Sequence, residues 1–193
     1  MCSARNVANF FIDLANRGKY KKKITNMRVN KLLYFAQGHY LAKTETPLFD
    51  ENFLAWDFGP VVPEIYRKYS VYGERAISLV DDDYDFRHFS STEIDMLLDV
   101  SKEYENYTTS QLVEMTHRDI SPWKNAYSSI SKEISKDEIK THFLLIDKIP
   151  SINDILSAIP VYDKVGKDGT LLLPADEYCQ EDDIYAAELL NAN

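Results

Sequence analysis

The sequence predicts a mainly α-helical domain with a small β element and a C-terminal extension. Apolar residues recur at spacings of three and four, which is the pattern of amphipathic helices. Three Ser/Thr residues are followed three positions later by Glu or Gln, the pattern of a helix-starting capping box. A length of 193 residues with 45% apolar and 27% charged residues suits one compact domain with an appendage. We expect a compact domain of about six to seven helices over residues 1–146 and an acidic extension over residues 147–193.

The first two helices are predicted within residues 3–43. Ser3 is a suitable N-cap for a first helix, and Gly18 is a suitable stop. Thr25 or Asn26 is expected to cap a second helix that runs to about Lys43. Apolar residues cover much of its circumference, namely Val29, Leu32, Leu33, Tyr34, Phe35, Ala36 and Tyr40. Such a helix is expected at the centre of the core.

The next segment is predicted to hold the β element and a third helix. Residues 47–59 are rich in β-prone side chains, and the alternation of Trp56-Asp57-Phe58 supports a short strand within them. Gly59-Pro60 is typical of a turn. Pro63 suits the first turn of a helix that ends at Gly73. Residues 77–80 are predicted as a second short strand, followed by a solvated loop at residues 81–83.

Four further helices are predicted from their start signals. These signals are Ser90 with Glu93, Thr108 with Gln111, Ser121 with Pro122, and Ser135 with Glu138. Pro150 marks a plausible boundary, after which residues 151–158 suggest a short helix and residues 161–173 a β-hairpin.

Charge is unevenly distributed along this chain of formal net charge −9. Residues 1–43 carry a net +8, residues 44–99 a net −9, residues 100–146 a net −1 and residues 147–193 a net −7. The overall acidity argues against nucleic acid as the default partner. Opposite blocks can attract each other within one fold or form a charged face for a partner, and both interpretations stay open.

Several function classes lack their sequence signals. No run of 18 apolar residues and no signal-peptide pattern occurs, so neither a membrane span nor secretion is expected. Cys2 and Cys179 lie near opposite ends, which fits a reducing cytoplasm. The four histidines lack zinc-ligand spacing, and there is no Gly-rich phosphate loop or nucleophile elbow. We expect a cytoplasmic protein without metal, cofactor or membrane contact.

Two segments concentrate chemically distinctive side chains. Residues 116–121 hold Thr, His, Asp and Ser, which could supply a nucleophile and a base, although backbone hydrogen bonding or partner contact also suits them. Residues 56–63 place aromatic side chains beside a rigid Gly-Pro pair, which suits either core cover or a preorganised binding surface. The basic run at residues 19–23 could contact phosphates or form a solvated loop.

A series of short stretches in residues 4–146 forms one ordered set. The stretches are Ile24-Thr25-Asn26-Met27, Lys31-Leu32-Leu33-Tyr34-Phe35-Ala36-Gln37-Gly38, Pro47-Leu48-Phe49, Ala55-Trp56, Phe58-Gly59-Pro60-Val61-Val62-Pro63 with Tyr66, Tyr72-Gly73, Thr116-His117 and Pro122-Trp123. Together they resemble the Panacea domain, the SocA-like antitoxin domain also found in phage-associated proteins. The resemblance implies a mostly helical domain that neutralises a neighbouring gene's toxin by binding it. It also implies that some members deliver the toxin to a cytoplasmic protease, and it implies no catalytic residues.

The sequence therefore predicts a non-enzymatic antitoxin whose partner is a toxin protein. Two alternatives stay open: a proteolytic adaptor or phage-encoded regulator, and a DNA-binding autoregulator. Partner contacts are expected from two aromatic segments and, secondarily, from the basic run. The candidate residues are Trp56, Phe58, Tyr66, His117, Trp123, Lys21, Lys22 and Lys23.

Overall fold

The computed structural model describes residues 2–18, 22–118 and 120–146, which lie within one compact unit, Met1–Ile149. These ranges contain seven α-helices and three short strands, so the mainly α prediction is confirmed. In chain order the elements are α1 (Ala4–Asn16), α2 (Asn26–Thr44), β1 (Phe53–Trp56), β2 (Gly59–Val61), α3 (Pro63–Tyr69), α4 (Ser91–Tyr104), α5 (Thr109–Thr116), α6 (Pro122–Tyr127), β3 (Glu133–Ile134) and α7 (Lys136–Ile146). Short 3₁₀ turns occupy Ser70–Tyr72 and Phe86–His88. The helix and hairpin predicted beyond Pro150 lie outside the described residues.

Helix α2 is the centre of the core, as its apolar circumference predicts. Helices α1, α4 and α7 all pack against it. A Cβ atom at Gly38 would lie 2.2 Å from Cε2 of Phe143, so α7 rests directly on the backbone of α2. Phe35 stacks on Tyr104 with ring centroids 4.1 Å apart. The buried hydroxyl of Tyr34 has no hydrogen-bond partner within the described part of the chain.

The helix starts follow the predicted caps. Side chains of Ser3, Thr25, Ser90, Thr108 and Ser121 each accept a backbone N–H from the first turn of their helix. Complete capping boxes form at the starts of α4 and α5. These bonds satisfy donors that a helix leaves free at its N-terminus, which is why the signals could be read locally. Across the described ranges, no helix combines the length and apolar character that crossing a bilayer needs.

The β element is a three-stranded antiparallel sheet with the order β2-β1-β3. The short strand predicted within residues 47–59 is β1, although it stops before Phe58, and the turn predicted at Gly59-Pro60 is misplaced. Strand β1 ends at Trp56, residues 57 and 58 form the turn, and Gly59-Pro60 belongs to β2. Pro60 tolerates this place because β2 is an edge strand, where a missing N–H costs no ladder bond.

Of the two predictions for residues 77–83, the strand is wrong, and the solvated loop holds for Asp82 and Asp83 but not for Asp81. Residues 77–80 are not a strand, because the segment lies against the loop before α2, where Ile77 donates its N–H to Ile24. Asp81 is not a solvated loop residue, since its carboxylate accepts hydrogen bonds from Arg5, Lys68 and Asn9. Arg5 of the basic block is thus paired with Asp81 of the acidic block, and this ion-paired cluster joins α1 and α3.

Candidate functional site

The turn between β1 and β2 is held by three aromatic side chains from α6 and the end of α5. Nε1 of Trp123 donates to the carbonyl oxygen of Trp56 over 2.8 Å. The hydroxyl of Tyr127 donates to Oδ1 of Asp57 over 2.9 Å. Nε2 of His117 lies 3.1 Å from the carbonyl oxygen of Asp57. Both backbone and side chain of the turn are thus fixed by groups that are distant in sequence.

Gly59 closes the turn and approaches α2 and α5 more closely than any other residue type could. Its φ of 100° lies in the region that favours glycine. A Cβ atom there would lie 2.6 Å from Oγ1 of Thr116 and 2.8 Å from Nζ of Lys31. The absence of a side chain is therefore what lets the hairpin pack against both helices.

Strand β2 has no free edge, although it is the outer strand of the sheet. Nζ of Lys31 donates to the carbonyl oxygen of Pro60 over 2.9 Å, and Oδ1 of Asn30 accepts the N–H of Val62 over 3.0 Å. Proline itself carries no N–H. Side chains of α2 thus occupy the groups of β2 that another strand would use.

Phe58 is the exposed tip of this supported turn. Its side chain is 63% exposed, although phenylalanine is among the residues most often buried. Beside it, Trp56 packs edge-on against Tyr66, with ring centroids 5.0 Å apart. Aromatic side chains dominate the energetics of protein interfaces, and a turn fixed in advance loses little entropy on binding. The arrangement is suited to binding a protein surface.

The predicted site residues fall into two roles around this turn. Phe58 and Tyr66 are exposed, whereas Trp123 is only 8% exposed. The ring of Trp123 lies between His117, at a centroid distance of 3.7 Å, and Tyr127, at 4.8 Å. The structure therefore brings the five aromatic and histidine candidates together, with His117 and Trp123 behind the turn. Contact of any of them with a partner stays a prediction.

A groove of about 960 Å³ adjoins the hairpin. It lies between the starts of α2 and α5, the β1–β2 turn, and the α3 region. Its lining comprises Thr25, Asn26, Met27, Asn30, Lys31, Trp56, Asp57, Phe58, Val61, Tyr66, Ser70, Gly73, Glu74, Thr109, Ser110 and Lys132. Trp56, Phe58 and Tyr66 form an aromatic wall, and the remaining lining is mostly polar.

The cluster at residues 116–121 uses its described polar groups for local structure. Oγ1 of Thr116 donates to the carbonyl oxygen of Val113 over 2.7 Å, and Ser121 caps α6. Nδ1 of His117 lies 2.6 Å from that same Val113 oxygen. Nδ1 also lies 3.3 Å from Oγ1 of Thr116, and Nε2 faces the carbonyl oxygen of Asp57. Asp119 lies outside the described residues.

Four of the nine basic residues in the N-terminal block, namely Arg5, Arg17, Arg28 and Lys31, make internal contacts. Arg5 pairs with Asp81 at 2.6 Å, and Arg17 pairs with Asp13 at 2.7 Å. The side chain of Arg28 is buried and donates to the carbonyl oxygens at the end of α4. Of the predicted basic candidates, Lys22 is half-buried, Lys23 is exposed, and Lys21 lies outside the described residues.

Sequence reasoning missed two residues that support the turn. Lys31 is a charged residue within a run of apolar positions on the central helix, and that position was a usable signal of a buried lysine. Tyr127 had no such signal, because its hydrogen bond to Asp57 joins residues 70 positions apart. Within the described ranges, no group of three His, Cys, Asp or Glu side chains is placed to hold a metal ion.

Comparison with known proteins gives two matches. Residues 29–124 match the family model "Antitoxin SocA-like, Panacea domain". A curated relative, "Antitoxin SocA" from Caulobacter vibrioides (strain NA1000 / CB15N), is 43% identical over 74 residues, which covers 38% of this chain and 38% of the relative. The chain thus matches well under half of that relative's length. No solved structure matches.

Proposed function

Since residues 29–124 of this chain form a SocA-like Panacea domain, we propose that the chain is an antitoxin. In this proposal it acts in the cytoplasm and neutralises a toxin protein by binding it directly. The supporting observation is the β1–β2 turn, which presents Phe58 to solvent while His117, Trp123 and Tyr127 hold the turn from behind.

A non-enzymatic role is part of the proposal. Inhibition by stoichiometric binding needs a preorganised surface and no reacting group. The hydroxyl of Thr116 donates to the carbonyl oxygen of Val113, and the ring nitrogens of His117 lie against the carbonyl oxygens of Val113 and Asp57. Burial raises the pKa of the Cys2 thiol to about 12, so this thiol is not the thiolate that nucleophilic catalysis requires.

A protein partner is favoured over nucleic acid because several basic residues of the N-terminal block are paired or buried. Arg5 and Arg17 are paired with carboxylates, and Arg28 and Lys31 are buried. Phosphate binding relies on exposed Lys and Arg side chains that release counterions. In the basic run at residues 19–23, the structure describes only Lys22 and Lys23, and neither lies in the groove lining.

The test is co-expression with the products of the neighbouring reading frames. We expect one neighbour to arrest growth when expressed alone, to be harmless with this chain, and to co-purify with it in a fixed ratio. If neither neighbour is toxic, or if none co-purifies, the antitoxin proposal fails.

The same cells distinguish inhibition from delivery to a protease. A pure inhibitor leaves the half-life of the toxin unchanged or lengthens it, because the toxin is protected in the complex. A proteolytic adaptor shortens that half-life, and the shortening disappears when the cytoplasmic protease is deleted. Pulse-chase measurement of the toxin therefore assigns the mechanism.

A further inference from the structure

The connection between α6 and β3, residues 128–132, is a turn that its own serine hydroxyls hold in place. Oγ of Ser129 donates to the carbonyl oxygen of Ala126 over 2.8 Å and accepts the N–H of Lys132 over 3.1 Å. Oγ of Ser131 accepts the first N–H of β3 over 3.3 Å. Such local bonds fix a loop backbone without help from a regular element. This α6–β3 turn is therefore preorganised, as the β1–β2 turn is.

Ile130 projects from the middle of the α6–β3 turn. It is 106% exposed, so its neighbours shield it no more than the flanking residues of a short peptide do. Isoleucine is among the residues most often fully buried, and its exposure forgoes the free energy that burial of its side chain would supply. Ile130 thus has no packing role inside the described part of the domain, and in this respect it is like Phe58 at the other turn.

The strand pairing places the two turns at the same end of the sheet. Strands β1 and β3 are antiparallel, with Leu54 opposite Glu133, and Ala55 donates its N–H to the carbonyl oxygen of Lys132 over 2.7 Å. Strand β1 therefore ends at Trp56 beside the point where the chain enters β3. Because the β1–β2 turn follows that end and the α6–β3 turn precedes that entry, the two turns are neighbours.

Tyr127 contacts both turns. Its hydroxyl donates to Oδ1 of Asp57 on the β1–β2 turn, and Nζ of Lys132, at the end of the α6–β3 turn, lies 4.8 Å from the centroid of its ring. The ring is itself partly exposed. Phe58, Tyr127 and Ile130 together form what we call the two-turn face. Exposed apolar residues scattered singly need no explanation, whereas three of them at one end of a sheet indicate an interaction surface.

We propose that the toxin binds this two-turn face, with Phe58 and Ile130 as two anchors in one apolar cleft of the toxin surface. The inference rests on the proposed antitoxin function and deepens it, since it extends the contact surface of Phe58 to the second turn and names the chemistry of the toxin side. Side chains that project from turns lose their contact with water only in a recess, and the anchors of protein interfaces fill such pockets. The partner surface is therefore concave and apolar.

A second copy of this chain fits the two-turn face less well than a toxin does. A symmetric dimer would bring the face against itself, because an isologous interface uses the same patch on both subunits. Projecting tips on both sides are convex and leave gaps between the copies. The three side chains also expose only roughly 400 Å², whereas a stable interface of standard size buries about 800 Å² per partner. A cleft that encloses both turns buries their flanks as well.

The test is calorimetric titration of the full chain with the neighbouring reading-frame product that co-purifies with it. Ile130→Ser is expected to weaken binding at least about tenfold, while the urea midpoint of unfolding stays unchanged because the side chain is already in solvent. Leu79→Ser is the matched control, since Leu79 is an aliphatic residue that is 69% exposed and lies outside both turns and the groove lining, and affinity should not change. Unchanged affinity of Ile130→Ser overturns this inference and leaves the antitoxin proposal intact, whereas no binding by the unaltered chain overturns both.

Cross-linking shows whether both anchors enter one cleft. A photoreactive benzophenone amino acid in place of Phe58 or Ile130 should label toxin residues that line the same apolar recess, and in place of Leu79 it should label none. Labels from the two turns on separate faces of the toxin overturn the inference. Sedimentation of the chain alone tests the other occupant, because a dimer that Ile130→Ser dissociates would assign the face to a second copy and overturn the inference too.

Discussion

The indole Nε1 of Trp123 donates a hydrogen bond of 2.8 Å to the carbonyl oxygen of Trp56, across 67 residues of sequence. This bond attaches α6 to the last residue of β1 and so fixes where the turn begins. Because Trp123 is nearly buried while Phe58 is exposed, support of the turn and the proposed contact with a partner fall to different residues. The two roles can be separated by substitution.

Trp123→Phe is expected to destabilise the fold by about 1–3 kcal/mol, since it leaves a carbonyl without its donor and removes ring volume. Urea unfolding followed by circular dichroism measures this loss. Toxin affinity should fall about two- to fivefold, through a loosened turn worth about 0.5–1 kcal/mol. Tyr127→Phe is the matched control, with a stability loss of about 0.5 kcal/mol, because its bond to Asp57 is exposed. Equal effects of the two variants would argue against a special role for the indole.

Phe58→Ala is expected to weaken toxin binding more than it weakens the fold, the reverse of Trp123→Phe. Stability should change by less than about 0.5 kcal/mol, because the side chain is already mostly in solvent. Toxin affinity should fall about 30-fold or more, which corresponds to the 2 kcal/mol of an interface hot spot. Phe86→Ala removes another exposed phenylalanine, outside the hairpin and the groove, and should not alter binding. Calorimetry and growth rescue provide the readouts, and unchanged rescue by Phe58→Ala would remove the hairpin tip from the interface.

Tyr34→Phe is expected to keep or raise stability, by up to about 1 kcal/mol. The buried Tyr34 hydroxyl has no hydrogen-bond partner within the described residues, so its removal costs no bond and ends a desolvation penalty. Tyr104→Phe provides the contrast, because its hydroxyl lies 2.9 Å from Nε2 of His39. That variant should lose about 1 kcal/mol. Thermal and urea unfolding should therefore show a loss of stability in Tyr104→Phe but none in Tyr34→Phe, and a clear loss in Tyr34→Phe would reveal an acceptor for this hydroxyl.

Asp81 is expected to make the free energy of unfolding depend on pH in the acidic range. Burial by itself raises the pKa of Asp81, but hydrogen bonds from Arg5, Lys68 and Asn9 outweigh it and hold this pKa well below its usual range. A carboxyl whose folded pKa is depressed contributes stability above its unfolded pKa of about 4, and this contribution is lost as the pH falls towards the folded pKa. Asp81→Asn should therefore cost about 1–3 kcal/mol at pH 7 and progressively less below pH 4.

Asp83→Asn is the control for that experiment. Asp83 also pairs with Arg5, but its side chain is 76% exposed, and such surface pairs contribute little. Its substitution should change stability by less than about 0.5 kcal/mol over the whole pH range. If both variants show the same pH dependence, the cluster around Asp81 is not the origin of the acid sensitivity.

Features set by residues close together in the sequence could be predicted, whereas features set by contacts between distant residues could not. The caps of α1, α2, α4, α5 and α6 could be predicted because a cap hydroxyl bonds to an N–H two or three residues away. Whether residues 77–80 form a strand could not be predicted from local residues, since a strand requires a neighbouring strand, and the structure has none there. Gly59-Pro60 was interpreted as a turn because its local preference is for turns, whereas packing against Lys31 and Thr116 places it in β2.

The candidate site shows the same division. Trp56, Phe58 and Tyr66 were found from their residue types and their closeness to a rigid turn. The role of Trp123 as a donor to Trp56 and the position of Lys31 beneath the groove depend on contacts between separate elements. Those contacts are set by the packing of α2, α5 and α6 against the hairpin, which no local pattern records.

The close approach of Gly38 and Phe143 also sets the order in which the domain is assembled during synthesis. About a hundred residues separate the two, so the face of α2 that Phe143 covers stays open until α7 has left the ribosome. At translation rates of about 5–20 residues per second, that interval lasts roughly 5–20 seconds. A nascent chain therefore cannot present the finished hairpin surface early. In the proposed antitoxin function, a newly made toxin is therefore bound by copies in which α7 already covers α2.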